Sequence, residues 1–376
     1  MNVYYLCRYV DSENKQNRKV FLSAVNKIDY IIDCIINAGN TVTVVSFADS
    51  ADAENKKGEF KQLKDGLFLK TFFSLGNKNV FARVIGRSLL KLSYLLYLIK
   101  TVKPGDVVLA YHSPFYLSSL KLLKKIRHCK IISEFEEVYA DLSGSSRLRK
   151  KELNFCKCVD AFVFPTELLN NAVNTLNKPY VTVHGIYKSQ EKLSDKHNDG
   201  KTHCVYAGIF DKRKGCLTAV ESAQYLDEKY HLHILGFGTP EQVAELKTQI
   251  SLTKQKTECV ITYDGCLSGK EYVEFLQKCH IGLSPQDVDA GFNSTSFPSK
   301  ILSYMSNGLK VVSVRIPAIE SSAVAKELFF YDEQTPECIA KTIKMATDVC
   351  NYDARQILSE FDEEFKKSIE SLLGAV

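Results

Sequence analysis

The sequence predicts an α/β protein of two domains, each built on a parallel sheet with helices on both faces, with a cleft between the domains. A chain of 376 residues has the length of two domains, at roughly 100–200 residues each. Short apolar runs rich in Val, Ile, Phe and Tyr alternate with segments of helical period. This alternation, and its restart after a polar stretch at 187–200, indicates two successive Rossmann-like units.

The first half begins with a strand, a helix and a second strand. Asn2–Cys7 is a short apolar run, and residues 20–37 place their apolar side chains on one helix face before Gly39 ends the helix. Residues 41–47 form a continuous apolar run, as expected for a strand buried on both faces. Further strand-like runs in this half are Val107–Tyr111, 131–135, Ala161–Phe164 and 180–184.

The second half repeats the pattern. Its strand-like runs are 203–207, 231–235, 259–263, Ile281–Ser284, 311–314 and 328–331. We therefore predict a first domain over 1–186, a linker over 187–200, a second domain over 201–350 and a C-terminal helix over 351–376. Whether this last helix returns to the first domain stays open.

Net charge differs between the halves. Residues 1–190 contain 28 Lys and Arg against 17 Asp and Glu, a net charge of +11, and the total of +5 leaves −6 for the rest. A basic first half indicates a polyanionic or membrane-surface partner there. The sequence has no nucleic-acid-binding motif, so we expect no nucleic-acid partner. The twelve scattered cysteines lack zinc-ligand spacing and predict free thiols in a reducing cytoplasm.

Segments at predicted strand ends in the second half suit a phosphorylated ligand. Gly208 and Gly236 permit sharp turns or a close backbone approach. Lys212, Arg213 and Lys214 stand at a predicted helix start, where free N–H groups favour an anion. Taken alone, each segment is equally compatible with a solvated loop or a plain tight turn.

A longer segment at 293–312 combines a hydroxyl-rich loop with a helix. Pro298 suits the first helical turn, with a hydroxyl residue nearby as the cap. Lys300 adds a positive charge, and Gly308 ends the helix before a buried strand. This segment predicts contacts to a distal phosphate and a sugar.

The order of these motifs resembles the C-terminal domain of group 1 (family 4) glycosyltransferases, in the form with Phe-Pro-Ser-Lys at 297–300. The resemblance spans about residues 200–315 and is looser over 1–190. It implies the GT-B fold, in which two Rossmann-like domains face each other across a cleft. It also implies an enzyme that is typically retaining and uses a nucleotide-sugar donor, with a UDP-sugar favoured and neither metal nor other cofactor.

The resemblance assigns roles to individual residues. The implied diphosphate contacts are Lys212, Arg213, Lys214, Ser299 and Lys300. The implied sugar contacts are Thr295, Ser296 and Phe297, and the implied nucleoside contacts are Gly208, Gly236, Cys266, Leu267 and Ser303. The chain departs from the family pattern at Thr295 and Ser303, where glutamates are usual, and at Ile209, where arginine is frequent.

The first half offers candidates for the acceptor side. His112 follows the strand-like run Val107–Tyr111, and Glu136 and Glu137 follow the next run. An imidazole or a carboxylate there can orient or deprotonate an acceptor hydroxyl. The alternatives are a structural histidine and an acidic cluster that satisfies helix-start N–H groups.

Two further segments bear on partners. Residues 80–103 mix apolar residues with Arg83, Arg87 and Lys91, which indicates an amphipathic helix that either covers a sheet or lies on an anionic membrane. Asp287 and Asp289 have the Asp-x-Asp spacing of metal-dependent glycosyltransferases, but in a loop of a two-Rossmann chain we expect no metal there.

The sequence as a whole predicts a metal-independent glycosyltransferase of bacterial surface polysaccharide synthesis, covering capsule and lipopolysaccharide. The expected acceptor is a hydroxyl of a glycan or of a polyprenyl-diphosphate-linked glycan. The expected location is the cytoplasm, with a peripheral contact to the inner face of the membrane. The alternatives are a nucleotide-sugar epimerase of the same fold and a catalytically silent glycosyltransferase-like partner subunit.

Overall fold

The computed structural model describes residues 1–11, 16–288 and 297–375. The chain divides into two units. Unit 1 comprises Met1–Ile186 and Glu364–Val376, and unit 2 comprises Tyr187–Glu363.

Unit 1 is built on an eight-stranded sheet. Its strands are β1 (Asn2–Cys7), β2 (Thr41–Ser46), β3 (Phe60–Lys64), β4 (Leu67–Lys70), β5 (Val107–Tyr111), β6 (Lys130–Glu134), β7 (Ala161–Phe164) and β8 (Tyr180–Thr182). Their order across the sheet is β3-β4-β2-β1-β5-β6-β7-β8, and β3 runs antiparallel to β4 while the other neighbours are parallel. The central strands are almost wholly buried, as expected where helices cover both faces.

Helices connect these strands. They are α1 (Leu22–Asn37), α2 (Val80–Thr101), α3 (Leu117–Arg127), α4 (Tyr139–Ser143), α5 (Ser146–Cys156) and α6 (Glu167–Val173). Helix α2 begins after Asn79, whose side chain accepts a hydrogen bond from the Ala82 N–H. Its buried residues recur every four positions, so a single face packs on the unit: Gly86, Leu90, Tyr94 and Leu98.

Unit 2 contains a six-stranded sheet in which every neighbouring pair is parallel. Its strands are β9 (Thr202–Ile209), β10 (Tyr230–Phe237), β11 (Val260–Gly265), β12 (Ile281–Ser284), β13 (Lys310–Val314) and β14 (Phe329–Tyr331), in the order β11-β10-β9-β12-β13-β14. Because the strands are parallel, their carboxyl ends share one edge of the sheet.

The helices of unit 2 follow these strands. They are α7 (Cys216–Ser222), α8 (Pro240–Lys254), α9 (Gly269–Lys278), α10 (Ser299–Ser306), α11 (Pro317–Glu320) and α12 (Pro336–Asp348), with a 3₁₀ turn at Lys212–Lys214. The last helix, α13 (Ala354–Ala375), starts in unit 2, and its residues from Glu364 onward belong to unit 1. The predicted α/β fold with parallel sheets is thereby confirmed.

The sequence analysis missed the hairpin of β3 and β4. Strand β3 lies at the edge of the sheet and alternates between half-buried and exposed residues, so it has no apolar run to reveal it. Gly66 makes the turn with φ of +71°, a conformation that glycine adopts without strain. Among the described residues, no helix has the combined length and apolarity that crossing a bilayer requires.

Candidate active site

The predicted ligand segments of unit 2 lie at the carboxyl edge of its sheet. They follow β9, β10, β11 and β12, which are neighbours in the order β11-β10-β9-β12. In open α/β sheets, ligands bind at this edge. The sheet therefore brings together segments that are up to about a hundred residues apart in sequence.

The ammonium group of Lys300 is buried at this edge. Its Nζ lies 4.2 Å from the centre of the Tyr206 ring, and a Cβ atom placed on Gly208 would lie 3.6 Å from it. This nitrogen has no hydrogen-bond partner within 1–11, 16–288 and 297–375. Burial, together with the nearby charge of Lys214, lowers the pKa of Lys300 to about 7. A cation buried in this way suits an incoming anion.

Lys214 reaches the same place from the turn after β9. The Asp211 side chain accepts a hydrogen bond from the Arg213 N–H at 2.9 Å and so caps the 3₁₀ turn. Gly215 ends that turn with φ of +76°, and a Cβ there would lie 1.6 Å from the Pro285 carbonyl oxygen. The turn therefore packs directly against the loop that follows β12. Burial lowers the pKa of Lys214 as well, with Arg213 acting in the same direction.

Lys212 and Arg213 are paired with carboxylates of the protein. Lys212 Nζ lies 2.8 Å from Glu245 Oε1, and its side chain is 73% exposed. Arg213 Nη2 lies 2.6 Å from Asp211 Oδ2. Of the three predicted basic residues in this turn, Lys214 is the one whose charge lowers the pKa of Lys300, and the diphosphate role of all three stays a prediction.

Helix α10 is held in place by Tyr304, which the sequence analysis did not select. The Tyr304 hydroxyl accepts a hydrogen bond from the Ala207 N–H at 2.8 Å and donates one to the Leu283 carbonyl at 3.3 Å. A Cβ on Gly282 would lie 2.3 Å from the Tyr304 ring, so the ring occupies the space that this glycine leaves. These contacts fix α10, and therefore Lys300, against β9 and β12. A glycine within a strand-like run was the available signal.

The start of α10 differs slightly from the prediction. The helix begins at Ser299, so Pro298 precedes the first turn instead of occupying it, and no side chain among the described residues caps the helix. Ser299 is exposed and Phe297 is half-buried. Thr295 and Ser296, the other predicted sugar contacts, lie outside the described residues, as does Asp289 of the Asp-x-Asp motif.

The predicted nucleoside contacts are spread along the same edge. Gly208 and Gly236 are partners in the β9–β10 register, and a Cβ on Gly236 would lie 1.7 Å from the Gly208 carbonyl oxygen. Cys266 is exposed just after β11 and Leu267 is half-buried. Ser303 Oγ lies 3.4 Å from the Tyr272 hydroxyl, which connects α10 with α9.

In unit 1, His112 is buried beneath the carboxyl edge. Its Nε2 lies 2.8 Å from Glu152 Oε1, and its ring stacks on Phe135 with centroids 3.9 Å apart. Glu152 also accepts hydrogen bonds from the N–H groups of Tyr139 and Ala140 at the start of α4. Burial lowers the pKa of His112. The catalytic role of His112 stays a prediction; its side chain is shielded from solvent and paired with Glu152, which connects α5 with the start of α4.

The acidic cluster after β6 centres on Glu134, which the sequence analysis did not select. Tyr5 donates a hydrogen bond to its carboxyl group. Burial, and next the Glu136 carboxylate, raise the pKa of Glu134 to about 8. Glu136 Oε1 in turn lies 2.6 Å from Lys27 Nζ. Burial also raises the pKa of Glu137, with smaller contributions from the neighbouring carboxylates.

Comparison with protein families identifies the domain that carries the basic edge site. Residues 201–348 match the family model described as Glycosyl transferases group 1. This segment is similar to group 1 glycosyltransferase domains. The match confirms the predicted enzyme class, a glycosyltransferase. No curated protein sequence matches the chain.

Solved structures share the fold over the full length of this glycosyltransferase. The E. coli trehalose-6-phosphate protein bound with UDP-2-fluoro glucose aligns at TM-score 0.62 and 9% identity, covering 100% of this chain and 98% of that one. HepE of Anabaena, in complex with UDP and glucose, aligns at TM-score 0.62 and 12% identity over 100% of both chains. An α,α-trehalose-phosphate synthase (UDP-forming) from Burkholderia xenovorans is also similar; its structure is in complex with glucose-6-phosphate. It aligns at TM-score 0.62 and 9% identity, covering 100% of this chain and 98% of that one. These likenesses show the GT-B fold.

Within the glycosyltransferase domain, Lys214, Lys300, Gly208 and Ser303 are set by the strands and by α10 along one sheet edge. The two catalytic candidates in unit 1 that are accessible at its carboxyl edge are Glu136 and Glu137, which are both half-buried.

Proposed function

We propose that this glycosyltransferase moves a sugar from a nucleoside-diphosphate sugar to a hydroxyl group, and that Lys300 and Lys214 bind the diphosphate. The observation that carries the proposal is the buried Lys300 ammonium, which no described residue hydrogen-bonds and which lies beside a second lysine. Two neighbouring cations in a buried site attract an anion strongly, because the low local dielectric amplifies their field. A diphosphate bridges two such charges.

The same lysines account for catalysis by charge stabilisation. When the bond between the sugar and the diphosphate breaks, negative charge develops on the leaving phosphate oxygen. Preformed ammonium groups stabilise that charge without reorganisation, which usually supplies the largest electrostatic contribution to an enzymatic rate. We propose that they take the place of a metal ion at the diphosphate, and that free N–H groups at the start of α10 assist.

We propose a UDP-sugar as the donor and retention of configuration at the transferred sugar. Two of the structurally similar proteins are described as bound to UDP or a UDP-sugar analogue, which supports the choice of base. In a retaining transfer, the leaving phosphate oxygen itself can accept the proton of the acceptor hydroxyl. Ser303 would contribute a neutral hydrogen bond to the ribose, weaker than that of a carboxylate.

Unit 1 supplies the candidates for the acceptor side. We propose that Glu136 and Glu137 orient the acceptor hydroxyl, with Glu136 held by Lys27 and Glu134. Their half-buried carboxyl groups lie just past the end of β6. We propose a glycan or polyprenyl-diphosphate-linked glycan as the acceptor, in the synthesis of a bacterial surface polysaccharide such as capsule or lipopolysaccharide.

The outer face of α2 supports the proposal of a membrane contact for unit 1. This face exposes an unusual number of large apolar side chains: Val80, Phe81, Val84, Ile85, Leu89, Leu92 and Leu96. Phe81 is 74% exposed, and the basic residues Arg83 and Arg87 are exposed on the same helix. An apolar face with neighbouring cations suits the interface of an anionic bilayer. We propose that α2 holds the enzyme at the inner face of the membrane, within reach of a lipid-linked acceptor.

Nucleotide binding by the purified full chain tests the donor assignment. UDP, GDP and ADP are compared by thermal shift, and we expect UDP to raise the apparent melting temperature most. A ligand at a hundred times its Kd adds about 2.7 kcal/mol to the folded state. If none of the three nucleotides changed the melting temperature, the diphosphate site would be wrong.

UDP binding alone is compatible with three functions: a glycosyltransferase, an epimerase and a silent partner subunit. Product analysis distinguishes them. A glycosyltransferase consumes the UDP-sugar and releases UDP only together with a glycosylated acceptor. An epimerase converts the nucleotide sugar without any acceptor. A silent partner subunit binds UDP and forms no product, an outcome that Ser303 in place of a glutamate would explain.

A further inference from the structure

A cluster of histidines lies on one face of the unit 2 sheet. His203 is on β9, and His231 and His233 are on β10, with His231 as the register partner of His203. Side chains two residues apart on a strand share a face, and so do register partners, so the three imidazoles point the same way. His203 lies five residues before Gly208, which places the cluster about 16 Å along the strand from the lysine site.

The imidazole nitrogens are close enough to share one ion. His203 Nδ1 lies 2.9 Å from His233 Nε2, and one nitrogen from each of His203, His231 and His233 lies within 4.8 Å of the other two. A tetrahedral zinc ion with bonds of about 2.0–2.1 Å holds its ligand atoms about 3.3 Å apart. Reaching that geometry requires the nitrogen–nitrogen separations to change by about 1.5 Å at most.

Carboxylates fix the proton on two of these histidines. His203 Nε2 lies 3.1 Å from Asp199 Oδ1, and His233 Nδ1 lies 3.1 Å from Asp264 Oδ2. A carboxylate accepts hydrogen bonds, so each of these outer nitrogens carries the hydrogen of its neutral ring. The two inner nitrogens, 2.9 Å apart, then face each other with lone pairs, and either a shared proton or a metal ion between them stabilises this arrangement.

The third histidine follows the same logic. Thr262 Oγ1 donates a hydrogen bond to Asp264 Oδ2 at 2.8 Å, so its own lone pairs are left to accept. His231 Nε2 lies 3.2 Å from Thr262 Oγ1 and can donate a hydrogen bond to it. The other ring nitrogen of His231, Nδ1, is then left to bind a metal. Histidines whose outer N–H is held by an oxygen in this manner are typical of metal sites.

A metal ion binds the neutral imidazole ring, and the three rings of the cluster differ in burial. His203 and His233 are buried, whereas His231 is half-buried and leaves one side of the cluster accessible from solvent.

We propose that His203, His231 and His233 form a binding site for a divalent transition-metal ion such as Zn²⁺, with Asp199 and Asp264 orienting two of the ligands. Imidazole ligands suit zinc and its neighbours in the first transition row. Bound there, the ion would join β9 and β10 to the segment that contains Asp199. The site lies away from the lysines at the carboxyl edge, so we expect it to stabilise unit 2 without taking part in sugar transfer.

Metal binding by the full chain, stripped with a chelator and dialysed, is the test. We expect one Zn²⁺ per chain by elemental analysis after desalting, a higher apparent melting temperature with Zn²⁺, and the absorption bands of tetrahedral Co²⁺ when cobalt is added. His231→Gln is expected to lose at least tenfold in Zn²⁺ affinity, and Asp199→Asn about tenfold. His128→Asn, which alters an exposed histidine of unit 1, is the matched control and should bind as the wild type does.

Two results would overturn the proposal. The first is wild-type protein that takes up no stoichiometric Zn²⁺ or Co²⁺, in which case the inner nitrogens share a proton. The second is a wild-type affinity for Zn²⁺ in both the His231→Gln and the Asp199→Asn variants. UDP binding is measured on the same samples, and because it should be unchanged in these variants, failure of the metal site and failure of the donor site are distinguishable.

Discussion

The buried ammonium of Lys300 costs the protein stability, because burial removes its water and no residue in the described ranges hydrogen-bonds to it. Binding sites often contain such groups, since a ligand of opposite charge recovers the cost on binding. The burial of Lys300 against Tyr206, with the nearby charge of Lys214, therefore indicates an anion more directly than the number of basic residues nearby. Lys212 and Arg213 illustrate the difference, because each already has a carboxylate partner.

The affinity for UDP should fall as the pH rises above 7. Burial lowers the pKa of Lys300 to about 7, so its charged form prevails below that pH and is lost above it. A bound diphosphate raises this pKa, so binding takes up a proton and weakens with pH by up to about tenfold per unit. Titration calorimetry between pH 7 and 9, where the phosphates of UDP are already ionised, measures this dependence. A flat profile would mean that Lys300 does not contact the diphosphate.

Glu134 makes the stability of the folded chain depend on pH. Its pKa is raised to about 8, so the folded chain holds a proton that the unfolded chain releases above about pH 4.5. This group therefore makes the chain less stable as the pH rises from about 4.5 through 8. Glu134→Gln keeps the shape and the hydrogen bonds without the titration. We expect its melting temperature to match the wild type near pH 4 and to exceed it increasingly toward pH 8, and a constant difference would refute this.

At the scale of elements, the turn Lys212–Lys214 depends on glycine where it meets the loop after β12. A Cβ on Gly215 would lie 1.6 Å from the Pro285 carbonyl oxygen, and the residue has φ of +76°. Gly215→Ala therefore adds a steric clash to a backbone strain of about 1 kcal/mol, and we expect weaker UDP binding and a lower melting temperature. Gly269→Ala, with φ of +55° and no atom within 4 Å of the added Cβ, is the control for backbone strain alone. Equal effects of the two changes would contradict the packing of this turn.

Helix α2 should determine whether the chain binds membranes. Phe81→Ser combined with Leu92→Ser removes two exposed apolar side chains without touching the buried face of the helix. We expect the affinity for vesicles containing anionic lipid, measured by sedimentation, to fall at least about tenfold, because each fully buried side chain of this size contributes about 1.5–3 kcal/mol. Leu252→Ser, at an exposed position of α8, is the control. Unchanged sedimentation of the double variant would exclude α2 as the contact.

The elements most accurately predicted from sequence are the buried parallel strands. Val107–Tyr111, Ala161–Phe164 and Ile281–Ser284 match the structure end to end, because a strand covered on both faces is a continuous apolar run. Strand β3 had no such signal, since an edge strand contacts the unit on one side and carries polar residues. The histidine cluster did have a signal in the sequence, because two histidines separated by one residue in a strand, here His231 and His233, lie on the same face.

At the scale of the whole molecule, the sequence predicted two parallel-sheet units and the edge that carries the donor motifs, because parallel strand order follows from strand–helix alternation. The sequence did not predict which side chains from distant segments contact each other. The burial of Lys300 depends on Tyr206, almost a hundred residues earlier, and the neutral Glu134 depends on Tyr5 and Glu136. Side-chain partners of this kind arise from packing, and residue type alone does not specify them.

The central claim is that Lys300 binds the diphosphate of a nucleotide donor. Titration calorimetry with UDP on Lys300→Met, compared with wild type and with Lys344→Met at an exposed position of α12, tests it most directly. We predict at least a tenfold loss of UDP affinity in Lys300→Met, with a melting temperature equal to or above that of the wild type because an unpaired buried charge is gone, and no change in Lys344→Met. Wild-type UDP affinity in a folded Lys300→Met would contradict the account.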